Sequence, residues 1–310
     1  MNTNQKKFTV TVGIPAYNEE ANIINILKSI IRQNQEKFIL ERIIVISDGS
    51  TDDTDKLVRE FTEQYPLVEL AADGSRKGKP ARLNQMYSMN CSDILVQFDA
   101  DLSLEGNNVV NEMLRYFQDE EVVIVAGNGQ PLPGQNVVEK ITGASELLWY
   151  EVRKDWRDGH NIYNNGGCAF ALRKSFARMF QMPARTIGDQ HFIYLFCIQQ
   201  KKKFRFAKNA VVNYRTPATI KDFFIQAKRS LSERQIVSRF FDLSVAEEYN
   251  IPNFYKTRAL FKMLRRRPIY ASLAIFLQIL LRIIPLREDP LHARGIWESI
   301  RSTKTLTPKI

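Results

Sequence analysis

Along the first hundred residues the apolar positions alternate between two periods. Phe8-Thr-Val-Thr-Val-Gly-Ile-Pro15 reads as a strand ending at Pro15, and Ile43-Ile-Val-Ile-Ser47 as the continuous apolar run of a buried strand. Between them, Ile23, Ile26, Leu27, Ile30 and Ile31 recur at helical spacing within Glu20–Gln33. Ser50-Thr-Asp-Asp-Thr54 then offers capping residues and first-turn acids to a helix that continues through Leu57, Val58 and Phe61. Two more strands, Val68–Ala72 and Ile94–Phe98, enclose a helix over Pro80–Met89. This alternation predicts an α/β fold of Rossmann-like type, a mostly parallel sheet flanked by helices.

Beyond Gly129-Gln-Pro-Leu-Pro-Gly134 the pattern predicts a long helix over Asn136–Trp156, shorter ones over Ser175–Phe180 and Gln190–Gln200, and one or two strands over Phe204–Tyr214. Soft boundaries near Gly129–Gly134 and Asn250–Pro252 divide the chain into halves at 1–130 and 131–250 and a C-terminal helical region at 251–310. In that last region sixteen residues between Pro268 and Pro285 are interrupted only by Ser272, Gln278 and Arg282. At 1.5 Å per residue such a helix is about 24 Å long, short of the roughly 30 Å hydrocarbon core of a bilayer. Gln278 and Arg282 share a face with Ala271 and Ala274, while Leu273, Phe276, Leu280 and Ile284 help cover the rest. Two readings stay open: an amphipathic helix lying in the membrane interface, or a buried core or oligomer helix.

Charge sharpens this picture. The chain carries 44 Lys+Arg against 34 Asp+Glu, but 17 of those cations and only 5 of the acids fall between Lys201 and Arg267, so one segment makes the protein basic. It ends in Arg265-Arg266-Arg267, next to the apolar stretch, which suits an anionic membrane surface. A basic nucleic-acid-binding protein is the rival from another class; no recognisable nucleic-acid-binding motif accompanies the charge, and no nucleic-acid partner is expected. The 44% hydrophobic content excludes whole-chain disorder. Three scattered cysteines, Cys91, Cys168 and Cys197, support neither a disulfide framework nor a zinc cluster, and the N-terminus lacks the apolar run of a signal peptide, so a reducing, cytoplasmic location is expected.

Candidate chemistry gathers at predicted strand ends. Asp93-Ile-Leu-Val-Gln-Phe98 runs into Asp99-Ala100-Asp101, placing two carboxylates on the same side of an extended segment, an arrangement suited to one hard divalent cation. Asp48 ends the preceding strand, so a third carboxylate belongs to the same rim. Arg76, Lys77 and Lys79 precede or open a helix, where charge and the helix N-terminus together suit a diphosphate. Taken singly, an Asp-x-Asp is also a common solvated turn and the basic run a common loop.

Four segments carry a resemblance in their order and spacing: Val12-Gly-Ile-Pro15-Ala16-Tyr17-Asn18-Glu19, Ser47-Asp48-Gly-Ser-Thr-Asp52, Gly78-Lys79-Pro-Ala-Arg-Leu-Asn84 and Phe98-Asp99-Ala-Asp101. Over roughly residues 8–240 the sequence resembles the family-2 glycosyltransferases of GT-A fold. The resemblance implies an inverting enzyme whose donor is a nucleotide-sugar, expected here to be a UDP-sugar, with the first half binding the donor and the second the acceptor. Pro15, Ala16, Tyr17, Glu19 and Asp48 would then border the nucleotide, Lys79 the diphosphate, and Asp99 with Asp101 a Mn²⁺ or Mg²⁺ ion. The acceptor would be a glycan or a lipid-linked molecule in cell-surface polysaccharide or glycoconjugate synthesis, with a polyprenyl-phosphate glycosyltransferase as the alternative.

The second half matches less strictly. Asn165-Gly166-Gly167-Cys-Ala-Phe170 resembles the glycine-containing strand that lets a sugar ring approach backbone. Thr186-Ile-Gly188-Asp189 resembles the segment bearing the catalytic base, with Gly188 where an acid usually stands; Asp189 is left as base, or as the N-cap of a helix over 190–200. His191 reads as packed or solvated. Gln226-Ala-Lys-Arg229-Ser230 resembles the Gln-x-x-Arg-Trp motif of processive synthases, with Ser230 in place of tryptophan, which does not support processive polymerisation. An oligomer contact through the C-terminal helix, and peripheral attachment to the cytoplasmic membrane face, complete the expectations.

Overall fold

The computed structural model of the chain describes residues 7–166, 168–184, 186–241, 247–283, 300–304 and 306. Its centre is an eight-stranded sheet: β1 (Phe8–Ala16), β2 (Phe38–Ser47), β3 (Val68–Ala71), β4 (Ile94–Phe98), β5 (Leu102–Leu104), β6 (Val122–Pro131), β7 (Ala169–Arg173) and β8 (Lys203–Tyr214), in spatial order β3-β2-β1-β4-β7-β6-β8-β5. The first four strands are parallel. β7 then runs antiparallel to both β4 and β6, β6 and β8 are parallel, and β5 closes the far edge antiparallel to β8.

Both faces of the sheet are covered, which is why its central strands read as unbroken apolar runs. Ile43 and Val45 turn to one side, under α1 (Ile23–Ile31), α2 (Thr54–Gln64) and α4 (Val109–Leu114). Ile44 and Ile46 turn to the other, under α3 (Lys79–Met89), α6 (Lys174–Ala177) and α7 (Asp189–Gln199). The two core clusters are thus sorted by strand periodicity alone.

One reversal positions the site. Because β7 is antiparallel to β4, with Phe98 opposite Ala169, the residues preceding β7 arrive at the same rim as those following β4. The Asp99 amide donates to the Cys168 carbonyl at 3.0 Å across that seam. β6, antiparallel to β7, also points its C-terminal end, Gly127–Pro131, to this rim. Neither β5 nor β6 is among the strands signalled by the sequence pattern.

The C-terminal region packs on α5 (Val137–Arg153). α9 (Asn253–Arg266) brings Lys262 to Glu151 at 2.6 Å and Arg266 to the same carboxylate at 3.5 Å. α10 (Pro268–Ile283) buries Ala271, Ala274 and Leu281, and Gln278 Nε2 donates to Ser145 Oγ at 2.9 Å. The face with alanines and glutamine therefore turns inward, and the apolar stripe of Ile269, Leu273, Phe276 and Ile283 is exposed. Small residues permit the close helix approach, and Ser145 satisfies the amide of Gln278 carried inward. The Arg282 side chain, Ile284 and Pro285 lie outside the described residues. Among the described residues no helix is long and apolar enough to cross a membrane.

Candidate active site

A cavity of about 730 Å³ opens at the rim where β1, β2 and β4 end. Pro15, Ala16, Tyr17, Glu19, Asp48, Lys79, Asp99, Asp101, Gly166, Asp189, Gln226 and Arg229 all line it, although they span more than 210 residues of sequence. Gly167 lies outside the described residues.

The nucleotide-side wall is built from the turns after β1 and β2. The Asp48 amide donates to the Ala16 carbonyl at 2.8 Å, tying the two strand ends together. The Asp48 carboxylate accepts from the backbone amides of Lys77 at 2.7 Å and Gly78 at 3.1 Å, and from Arg82 Nε at 3.0 Å. Arg82 is 1% exposed and also binds Asp73 through both terminal nitrogens, at 2.6 and 3.2 Å, and the Ser75 carbonyl. Its hydrogen bonds, with those of Lys77 and Ser75, hold the Asp73 carboxyl well below the usual carboxylate range. One buried guanidinium thus folds residues 73–78 against the end of β2. Above them Arg76 lies over the Tyr17 ring at 3.8 Å and donates to its hydroxyl at 3.0 Å.

That loop delivers the start of α3. Gly78 caps it at φ 88°, a conformation side chains resist, and Pro80 sits in the first turn, where a missing amide costs nothing. Lys79, the first helical residue, reaches Asp99 Oδ1 at 3.0 Å and Asp189 Oδ2 at 3.6 Å. Burial alone would lower its pKa, but the two carboxylates raise it above the ordinary lysine value, so the ammonium stays charged. The Asp99 pKa also rises, to about 6: burial is the main cause, opposed by the Lys79 charge and reinforced by repulsion from Asp101 and Asp189.

Asp189 opens α7 but does not cap it. Gly188 is the N-cap residue, in left-handed conformation, and no side chain makes a capping bond there. Asp189 is 6% exposed, and its Oδ2 accepts no hydrogen bond among the described residues. The N-cap alternative is therefore set aside. His191 packs edge-on to Tyr163 and Tyr249, and burial pushes its pKa down to about 4.

Three lining residues to which the sequence reading gave no role make contacts that shape the site. Arg82 stood inside a recognised motif without a role. Lys304 comes from the far end of the chain: its Nζ donates to the Tyr17 carbonyl at 2.6 Å, to the Asn18 carbonyl at 3.1 Å and to the Glu19 carboxylate. Even so, burial first and Asp101 second raise the Glu19 pKa to about 7. Glu233, from α8 (Ile220–Val237), is the third. None of these could be found by spacing, since each depends on tertiary placement.

The two carboxylates at the end of β4 fit a hard divalent cation. They crowd one another in a buried rim, repulsion that a cation would relieve. Among the described residues no third His, Cys, Asp or Glu joins them into a metal cluster. The other coordination positions would fall to water and phosphate oxygens, the usual habit of such ions at diphosphates.

The sheet order and rim define a GT-A-type fold, and comparison agrees. A mannosyltransferase from Pyrobaculum calidifontis, solved with GDP-Man and Mn²⁺, superposes with TM-score 0.60 at 17% identity over 90% of this chain and 76% of that one. TarS of S. aureus, solved with UDP, gives 0.52 at 13% identity over 88% and 86%. At such identities the likeness is one of fold. The chain belongs to glycosyl transferase family 2, whose sequence model matches residues 11–180. The probable glycosyltransferase YdaM of Bacillus subtilis (strain 168) is 35% identical over 121 residues, 38% of this chain and 29% of that protein. The 4,4'-diaponeurosporenoate glycosyltransferase of Staphylococcus aureus (strain bovine RF122 / ET3-1) is 32% identical over 118 residues, 38% and 30% respectively. The matched stretch spans less than a third of either relative.

If Arg82 organises the nucleotide-side wall, Arg82→Met should destabilise the protein by about 3 kcal/mol, because it strands a buried Asp48 carboxylate. Urea unfolding measures this. A loss under about 1 kcal/mol would show that the guanidinium is dispensable.

Proposed function

We propose that this glycosyltransferase moves a sugar from a UDP-sugar to a hydroxyl of a glycan or lipid-linked acceptor, inverting the anomeric carbon in one displacement. The observation that carries the reading is the Lys79 bridge. It joins Asp99, at the end of β4, to Asp189, whose nearly buried Oδ2 accepts no hydrogen bond among the described residues. A base that must accept a proton is best kept that way.

Donor binding would use Pro15, Ala16, Tyr17, Glu19 and Asp48 on the nucleotide side, Gly166 and Gly167 beside the sugar, and Gln226 and Arg229 from α8. Asp99 and Asp101 would hold Mn²⁺ or Mg²⁺, which when bound neutralises charge on the diphosphate. Lys79, at the N-terminus of α3, faces the same leaving group with an ammonium and a helix dipole. The acceptor oxygen forms its bond to the anomeric carbon as the bond to the diphosphate oxygen breaks. Its proton passes to Asp189, and the electron pair leaves with the nucleoside diphosphate. TarS, solved with UDP, supports the uridine donor; GDP-mannose, present in the P. calidifontis enzyme, is the competing candidate. Residues 1–130 would then be the donor half, 131–250 the acceptor half and 251–310 a membrane-associating region.

The acceptor side borders a second, largely apolar groove of about 610 Å³ between α5, α9 and α10, which shares Trp149, Tyr163 and Tyr249 with the main cavity. Outside it, Phe254, Phe261, Ile269 and Phe276 are exposed beside Arg265, Arg266 and Arg267. Apolar side chains flanked by arginines favour peripheral attachment to an anionic cytoplasmic membrane face, where a lipid-linked acceptor resides.

Thermal shift and nucleotide release against UDP- and GDP-sugars, with and without Mn²⁺, test the donor assignment; stabilisation by neither class overturns it. Asp101→Asn, like excess chelator, should abolish transfer and metal-dependent nucleotide binding while the fold persists. Full activity in either condition contradicts the ion site.

For Asp189→Asn, turnover should fall about 10²–10⁴-fold with donor affinity retained, since binding requires no proton removal. A parallel loss of donor affinity would make Asp189 a donor-binding residue instead.

Phe276→Glu should cut sedimentation with phosphatidylserine-containing vesicles at high salt without lowering the thermal midpoint. Undiminished sedimentation would remove the outward face of α10 from the membrane contact.

A further inference from the structure

Glu233 lines the cavity yet has no part in the chemistry described so far. It sits one turn beyond Arg229 on α8, where that helix crosses the start of α7. The crossing depends on Gly188. A Cβ built on this glycine would fall 3.0 Å from Glu233 Cγ and 3.1 Å from its Cβ, tight enough that the glutamate would have to shift by a few tenths of an ångström. At φ 82° the position also resists most side chains, aspartate and asparagine least. Position 188, where the motif resemblance expects an acid, is thus bare, and a carboxylate from another helix fills the adjoining space beside Asp189.

The Glu233 side chain is 13% exposed. Its nearest basic groups stand at the outer limit of ion pairing: Arg229 Nε at 3.9 Å along α8, and the His191 imidazole, which burial keeps neutral, with Nδ1 at 3.9 Å from α7. No described residue donates a hydrogen bond to it at normal length, and the same is true of Asp189 Oδ2. Lys79, from α3, is already engaged by Asp99 and Asp189. Carboxylates this enclosed ordinarily take two or more close donors. Two of them facing one cavity without such donors are arranged to receive hydrogen bonds from whatever enters.

We propose that Glu233 is an acceptor-binding residue, accepting a hydrogen bond from a second hydroxyl of a sugar acceptor whose reacting hydroxyl is held by Asp189. This deepens the function proposed above and rests on Asp189 as base. It also narrows the acceptor class: a polyhydroxyl sugar unit satisfies two neighbouring carboxylates, whereas a phosphate acceptor would be repelled by both.

The test compares nucleotide release in water alone with release stimulated by n-octyl glucoside, mannoside and galactoside, using the donor selected by the release screen. In the full-length Glu233→Gln variant the ratio of transfer to hydrolysis should fall about 10- to 100-fold, the equivalent of one charged hydrogen bond, with donor affinity within about twofold. Moving the acid, in Gly188→Asp combined with Glu233→Ala, should recover part of the ratio lost in Glu233→Ala alone. Aspartate is among the few residues that tolerate the left-handed conformation. An unchanged ratio, a parallel fall in donor affinity, or a wild-type enzyme stimulated by a polyprenyl phosphate and by none of the glycosides would each overturn the proposal. Failure of the underlying reading shows separately, as an Asp189→Asn variant that keeps both hydrolysis and transfer.

Discussion

Crowding of like charge at the end of the parallel strands is the constraint around which this molecule is arranged. Asp99, Asp101 and Asp189 converge on one partly closed rim, where burial first, and then the charges of Asp101 and Asp189, raise the Asp99 pKa against the pull of Lys79. The Lys79 ammonium, set between Asp99 and Asp189, is what makes the arrangement tenable in the absence of ligand. It is held there by backbone: the Gly78 turn, the first turn of α3, and the Asp48–Arg82–Asp73 network that folds the loop before it. A site so poised favours a ligand that brings compensating cations to one carboxylate pair and hydroxyl donors to the other groups.

The sheet explains why those carboxylates can meet. A wholly parallel sheet would carry the segment after β4 and the segment before β7 to opposite ends. Reversal of β7 brings both to one rim, so that Asp99 and Cys168 border the same cavity. α8 and the C-terminal residues then close the cavity from above, through Gln226, Arg229 and Glu233 on one side and Lys304 on the other. Distant segments of the chain thus act on one small volume.

The first half of the chain was legible in sequence because its strands are buried on both faces and end in short polar motifs. β1, β2 and β4 announce themselves as apolar runs, and Asp48, Asp99 and Asp101 follow directly from where those runs stop. β6 was missed although Val122–Ala126 is as apolar a run as those of β2 and β4. α10 was recognisable as amphipathic, but the pattern could not say which face turns inward; Ser145, more than 120 residues away, decides that by receiving Gln278. Glu233 and Lys304 were invisible for the same reason. Their roles come from which helices cross and where the chain returns, not from local spacing.

The central claim is a single displacement in which Asp189 is the base and no enzyme nucleophile intervenes. Its most direct test is the anomeric configuration of the product, read by proton NMR from the coupling of the new anomeric proton, starting from a nucleotide-sugar of known configuration. The account predicts inversion in the initial product, before any mutarotation. Retention would require a second displacement and a covalent or front-face route, and would contradict it.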